Sequence, residues 1–128
     1  MKTPPERPSF WRARLASFRY AWRGIVFLVR SQGNARLHLA ATVAVMVLGL
    51  LLRVSRGEWC LLALATGLVW AAEGVNTAVE LLADRITTER DERIGRAKDI
   101  AAGAVLLAAV AAAVVAAFVF LPRLFAWG

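Results

Sequence analysis

Apolar residues along this chain fall either on one helical face or in long uncharged runs, and the change between the two divides it into elements. From residue 9 to 31 the large apolar residues Trp11, Leu15, Phe18, Trp22, Ile25 and Val29 recur in steps of four and three, which is one face of a helix. Arg12, Arg14, Arg19, Arg23 and Arg30 fall largely elsewhere around it. A helix of this kind lies in the headgroup layer, rings down and guanidiniums toward anionic lipid. Gly33-Asn34 then reads as a break. Residues 37–52 (LHLAATVAVMVLGLLL) follow without an acid, Lys or Arg, and Arg36 and Arg53 at the ends can snorkel, so the first span is placed at about 36–53. A short polar connection, 53–58, is punctuated by Gly57. Trp59 to Ala72 is again uncharged, and the helical pattern continues to Ile86, giving one long helix, 57–86. A charged loop, 87–95, leads to a last helix at about 96–121, in which the 22 residues Ile100–Leu121 carry no charge.

The pattern therefore predicts one all-α membrane domain over residues 1–128: an N-terminal amphipathic surface helix, capped by Ser9, and three transmembrane helices. Residues 1–8, with Pro4, Pro5 and Pro8, are expected to be a disordered tail, and no short apolar block follows the first charges, so no cleaved leader is expected. Composition agrees. Hydrophobic residues make up 59% and mean hydropathy is +0.58. The net charge of +7 would suit a nucleic-acid reader, but half of the chain is too apolar for a soluble one. Its distribution is more informative. Eight of the sixteen basic residues precede residue 37, against the single acid Glu6. By the positive-inside rule the N-terminal segment and the 84–99 segment are expected on the cytoplasmic side of the plasma (inner) membrane. Cys60 is alone and reads as a packing residue, and His38, the only histidine, reads as an interfacial residue rather than a metal ligand.

Candidate chemistry is concentrated between Trp70 and Asp99. Glu73, Asn76, Glu80 and Asp84 stand at i, i+3, i+7 and i+11, within a stripe of about 80° that climbs roughly 16 Å along one helix. Ionisable residues inside a span are functional candidates. Glu73, the deepest, suits a general base. Glu80, nearer water, suits Mg²⁺, which takes oxygen ligands and keeps water and substrate phosphates as the others. Asn76 between them could orient a hydroxyl or a phosphate. Arg90, Arg93, Arg96 and Lys98 could hold phosphates, and Lys98-Asp99 opens a helix whose N-terminus favours anions. Together these suit phosphoryl transfer at a membrane surface. The plainer reading of Glu89, Asp91 and Glu92 is a solvated loop. Neither GxxxxGK[ST] nor GxGxxG occurs, so a nucleotide would be held by neither standard loop. A small ion-coupled transporter or proton-relay subunit is the alternative, and a purely structural assembly protein a second. Alanines four apart in the last helix (Ala104, Ala108, Ala112, Ala116) suggest close helix contacts and self-association.

Glu73–Asp84 (E-x-x-N-T-A-V-E-x-x-x-D) followed by Gly95–Leu106 (GRAKDIAAGAVL), with Phe18–Gly24 (FRYAWRG) and Asn34–His38 (NARLH) upstream, resembles the small integral-membrane prokaryotic lipid kinases: the bacterial diacylglycerol kinases and related undecaprenol kinases. The resemblance implies a homotrimer of three-span chains with active sites shared between neighbours. It implies transfer of the ATP γ-phosphate to a lipid hydroxyl, with Mg²⁺. By position it makes Glu73 the catalytic base, also touching lipid, and Glu80 a metal and nucleotide ligand. Asn76 and Asp84 would line the site; Tyr20, Glu89, Arg90, Asp91, Lys98 and Asp99 would contact nucleotide; Trp22 and Arg23 would contact lipid. Gln32 stands where many members carry a second metal-binding Glu, so an uncharged amide oxygen would serve there. Ala101-Ala102-Gly103 looks more like the undecaprenol kinase branch.

Overall fold

Two helices in this chain are about half as long again as a bilayer's hydrocarbon core is thick, or more. In the computed structural model, which describes residues 8–126, α1 spans Phe10–Ser31, α2 Gly33–Leu51, α3 Arg56–Ile86 and α4 Glu92–Phe125. The tail expected at residues 1–8 lies, except for Pro8, outside the described residues. At about 1.5 Å per residue the 31 residues of α3 extend roughly 46 Å, against about 30 Å of hydrocarbon. One end of α3 must therefore stand in the headgroup layer or in water. The helices α2, α3 and α4 are each long and apolar enough to cross a membrane, and the protein is an all-helical membrane protein.

The four expected helices are present, with three boundary corrections. The first break is a single residue, Gln32, in extended conformation (φ −109°, ψ 122°), and not Gly33-Asn34, which form the first turn of α2. Local bonds close the joint: Gln32 N–H donates to Leu28 O at 3.1 Å, and the Arg36 guanidinium donates to Arg30 O at 3.2 Å. Second, Gly57 does not punctuate the α2–α3 turn, because it already lies in α3. Arg53 makes the turn, in the left-handed region at φ 52°. Arg53 N–H bonds to Leu50 O and Val54 N–H to Gly49 O, a Schellman closure usually given to glycine. With a side chain this costs about 1–2 kcal/mol locally, and the same closure turns Val54 into the core. Ser55 and Glu58 then form a capping box that starts α3. Third, α4 begins at Glu92 and not near Arg96. Asp91 Oδ1 accepts from the backbone N–H of Arg93 (2.9 Å) and of Ile94 (3.1 Å), an N-cap that recruits four further residues. At its other end α4 runs past Leu121 to Phe125, through Pro122.

The principal pair is α3 against α4. Its apolar core lies at the end of the α2–α3 turn, where Val54, Leu62, Val119 and Phe120 are buried together and Val45, Leu52 and Trp59 pack against them. The same end is clamped by Arg123, whose two terminal nitrogens donate to the two oxygens of Glu58 at 2.7 and 2.6 Å. Glu58 precedes the uncharged run of α3. The Ser55 N–H donates to Glu58 Oε2 at 2.8 Å, so the carboxylate is held from both sides. The alanine row assigned to self-association is partly consumed within the chain: Ala108 is buried, and Ala112 and Ala116 are half-buried.

Gly49 of α2 lies flat against the Trp59 indole. A Cβ there would fall 2.8 Å from Cζ2 and 3.0 Å from Cζ3 of that ring. Gly49→Ala is therefore expected to destabilise the fold by about 1–3 kcal/mol, the usual cost of overpacking. It should appear as a lower melting temperature in detergent; an unchanged one would mean that the ring swings aside freely.

Candidate functional site

The stripe on α3 is a gradient from dry to wet. Glu73 is 2% exposed, and Asn76 and Thr77 are also buried; Glu80 is half-buried and Asp84 exposed. Three buried atoms within about one turn of α3 lack a hydrogen-bond partner: Glu73 Oε2, Asn76 Oδ1 and Thr77 Oγ1. Buried polar groups without partners are uncommon, because each forfeits its solvation for nothing. A cluster of three on one helix marks a place built for something the isolated chain does not itself supply.

Across from Glu73 stands His38 of α2, with Nε2 3.5 Å from Glu73 Oε2. That separation is a contact, longer than a formed hydrogen bond. One turn away Trp70 Nε1–H donates to Thr42 Oγ1 at 2.9 Å, and the Thr42 hydroxyl donates to His38 O at 2.7 Å. His38 and Thr42 are four apart on α2, Glu73 and Trp70 three apart on α3, so the two contacts lie side by side between antiparallel helices. A cleft of about 260 Å³ opens beside them, lined by His38, Thr42, Val45, Thr66, Val69 and four alanines of α4.

At the wet end α4 returns along α3. Lys98 Nζ donates to Asp84 Oδ1 at 2.8 Å. Lys98 precedes the uncharged run of α4. Glu80 lies one turn before Asp84 on the same helix. Glu80, Asp84 and Lys98 thus form one group. Arg90, Asp91, Glu92, Gly95, Arg96 and Asp99 line an open recess of about 600 Å³ around the start of α4.

The structure therefore brings together Glu80, Asp84 and Lys98, and separately Arg90, Asp91 and Asp99. Asp91 already serves as the α4 cap, and Glu89 bonds locally, its N–H donating to Thr87 Oγ1. Tyr20 and Trp22 are exposed on α1, and the recorded partner of Arg23 is the Tyr20 ring, 6.0 Å from its guanidinium carbon. The side-chain bond of Gln32 is to neighbouring Ser31. Extending the α2–α3 register by helical rise puts Gln32 at the level of Glu80. Sequence reasoning missed two residues. His38 reads as interfacial from the sequence, but it faces Glu73. Thr77 lies one turn beyond Glu73, and a hydroxyl four residues from a buried acid is the signal that points to it.

A family model described as "Prokaryotic diacylglycerol kinase" matches residues 19–120. A diacylglycerol kinase of Synechocystis is 40% identical over 124 residues, covering 94% of this chain and 71% of that one. An undecaprenol kinase of Bacillus subtilis is 39% identical over 108 residues, covering 84% and 88%. A diacylglycerol kinase of Escherichia coli is 33% identical over 95 residues, covering 74% and 78%.

Proposed function

From the premise that this chain belongs to the prokaryotic diacylglycerol kinase family and is an ATP-dependent lipid kinase, we propose that the α3 stripe is its active site, with the phosphate donor at the wet end and the lipid hydroxyl at Glu73. The transporter alternative finds no support among the relatives. The observation that carries the assignment is the run of unpartnered buried oxygens on α3, which ends within two turns at Asp84–Lys98. Glu73 takes the proton of the lipid hydroxyl as its oxygen attacks the γ-phosphorus; the bond from that phosphorus to the β,γ-bridging oxygen breaks, and the products are a lipid phosphate and ADP. Asn76 and Thr77 offer polar atoms to the acceptor or the transferring phosphoryl. Lys98, held by Asp84, neutralises phosphate charge. Arg90, Asp91 and Asp99 of the recess, with Glu89 and Tyr20, contact the nucleotide; Trp22 and Arg23 on α1 meet the lipid.

Glu80, and Gln32 brought near its level by extending the α2–α3 register, offer oxygen ligands of the kind that fits Mg²⁺. Bound there, the ion would neutralise charge on the phosphates. Two protein groups are few, in keeping with an ion that takes its remaining ligands from phosphate and water. A second carboxylate should tighten the site. Gln32→Glu is expected to lower the half-saturating Mg²⁺ concentration by roughly three- to tenfold at fixed ATP; an unchanged or higher requirement removes Gln32 from the metal site.

Assembly and orientation belong to the same proposal. Three spans cover the stripe thinly, and much of the apolar surface is exposed, which supports a homotrimer with sites between neighbours. The exposed apolar side chains of Phe10, Trp11, Leu15 and Phe18 support α1 as a helix lying in the interface. The basic N-terminal segment and the α3–α4 loop face the cytoplasm, where ATP is found. The test is transfer of labelled phosphate from MgATP in mixed micelles, with diacylglycerol and undecaprenol as parallel arms. Label in either lipid supports the assignment and identifies the acceptor; label released only as inorganic phosphate overturns it.

A further inference from the structure

We infer that His38 is a positioning residue for the kinase reaction: its imidazole Nε2 aims the Glu73 carboxylate at the acceptor hydroxyl. The inference rests on the reading of Glu73 as base. Glu73 is 2% exposed, and its Oε2 has no hydrogen-bond partner. Nε2 of His38, 3.5 Å away, is the group placed to become one. Contacts between catalytic groups are commonly loose before substrate binds and tighten with it. A proton on Nε2 would bond Oε2 and leave Oε1 for the lipid hydroxyl.

The surroundings favour this pair over a chance approach. The Trp70–Thr42 and Thr42–His38 bonds fix the register of α2 against α3 one turn away, so the histidine backbone is held by a formed bond. In the adjoining cleft α4 contributes only alanines, α2 adds Thr42 and α3 adds Thr66. Among these lining groups no other charged side chain competes for Glu73. The nearest element from α1 is the apolar Leu28, against Gly74.

The test uses the full chain in micelles. His38→Leu removes the donor at similar volume, and His38→Gln puts an amide N–H close to the position of Nε2. We expect His38→Leu to lower kcat about tenfold, the scale of a misaimed base, with KM for MgATP within twofold. His38→Gln should recover most of that loss. A His38→Leu protein with wild-type kcat overturns the inference, as does a His38→Gln protein as slow as His38→Leu. Should the leucine variant fail to fold, a second readout uses wild-type His38. It is the only histidine of the chain, so its ring ¹⁵N resonances in untagged protein can be followed alone. Glu73→Gln should move them; unmoved resonances also overturn the pairing. The two readings fail differently. An active Glu73→Gln enzyme sinks the base assignment, whereas an inactive one beside a fully active His38→Leu enzyme sinks only the role of His38.

Discussion

Glu73→Gln is expected to lower kcat for lipid phosphorylation by about 10²- to 10⁴-fold, the range that a positioned general base contributes. The substitution keeps the shape of a side chain that is almost wholly buried, so packing at this turn of α3 is retained. The amide also has polar atoms for the same surroundings, and uncharging a group at membrane depth costs the fold nothing in desolvation. The loss should therefore fall on the chemical step. KM for MgATP should stay near wild type, because the donor is held at Lys98, which pairs with Asp84 about three turns further along α3. The measurement is initial rate at saturating lipid and MgATP, with the melting temperature alongside. A variant within twofold of wild type would show that the hydroxyl loses its proton elsewhere.

The second large effect belongs to Lys98. Lys98→Met keeps much of the stem and removes the ammonium, and with it a charge-assisted bond to phosphate of about 1.5–3 kcal/mol. We expect a loss in kcat/KM for MgATP of roughly 10- to 100-fold. Asp84→Asn should be milder, within about threefold, because the Asp84–Lys98 pair is substantially exposed and such pairs hold little energy. Rates across an ATP titration separate the two. Equal losses in both variants would mean that the ion pair itself, and not the phosphate contact, is what matters.

The sequence disclosed what is periodic and concealed what is distant. Uncharged runs and one apolar face sufficed for four helices, and the spacing of Glu73, Asn76, Glu80 and Asp84 sufficed for a shared stripe. Boundaries failed where a local bond outweighed composition. Asp91 captured two backbone amides and began α4 early; Arg53 adopted the conformation for which glycine is the usual signal; Gly33 and Asn34 were simply absorbed into a first turn. The Glu58–Arg123 clamp joins residues 65 positions apart, and His38 meets Glu73 across 35. Neither separation leaves a trace in a local pattern. The alanine row showed that α4 approaches something closely, but only packing could show that α3 of the same chain takes part of it.

The Glu58–Arg123 clamp and the Val54–Phe120 core both lie at the end of the bundle away from the chemistry. Toward the phosphate side, among the described residues, the side-chain ion pair between α3 and α4 is Asp84–Lys98, which is substantially exposed. A bundle bolted at its base and lightly latched at its mouth can spread where substrates arrive without losing its fold. That is what a catalyst working at a bilayer surface needs, since its two reactants enter from different phases, one sideways from the leaflet and one from above.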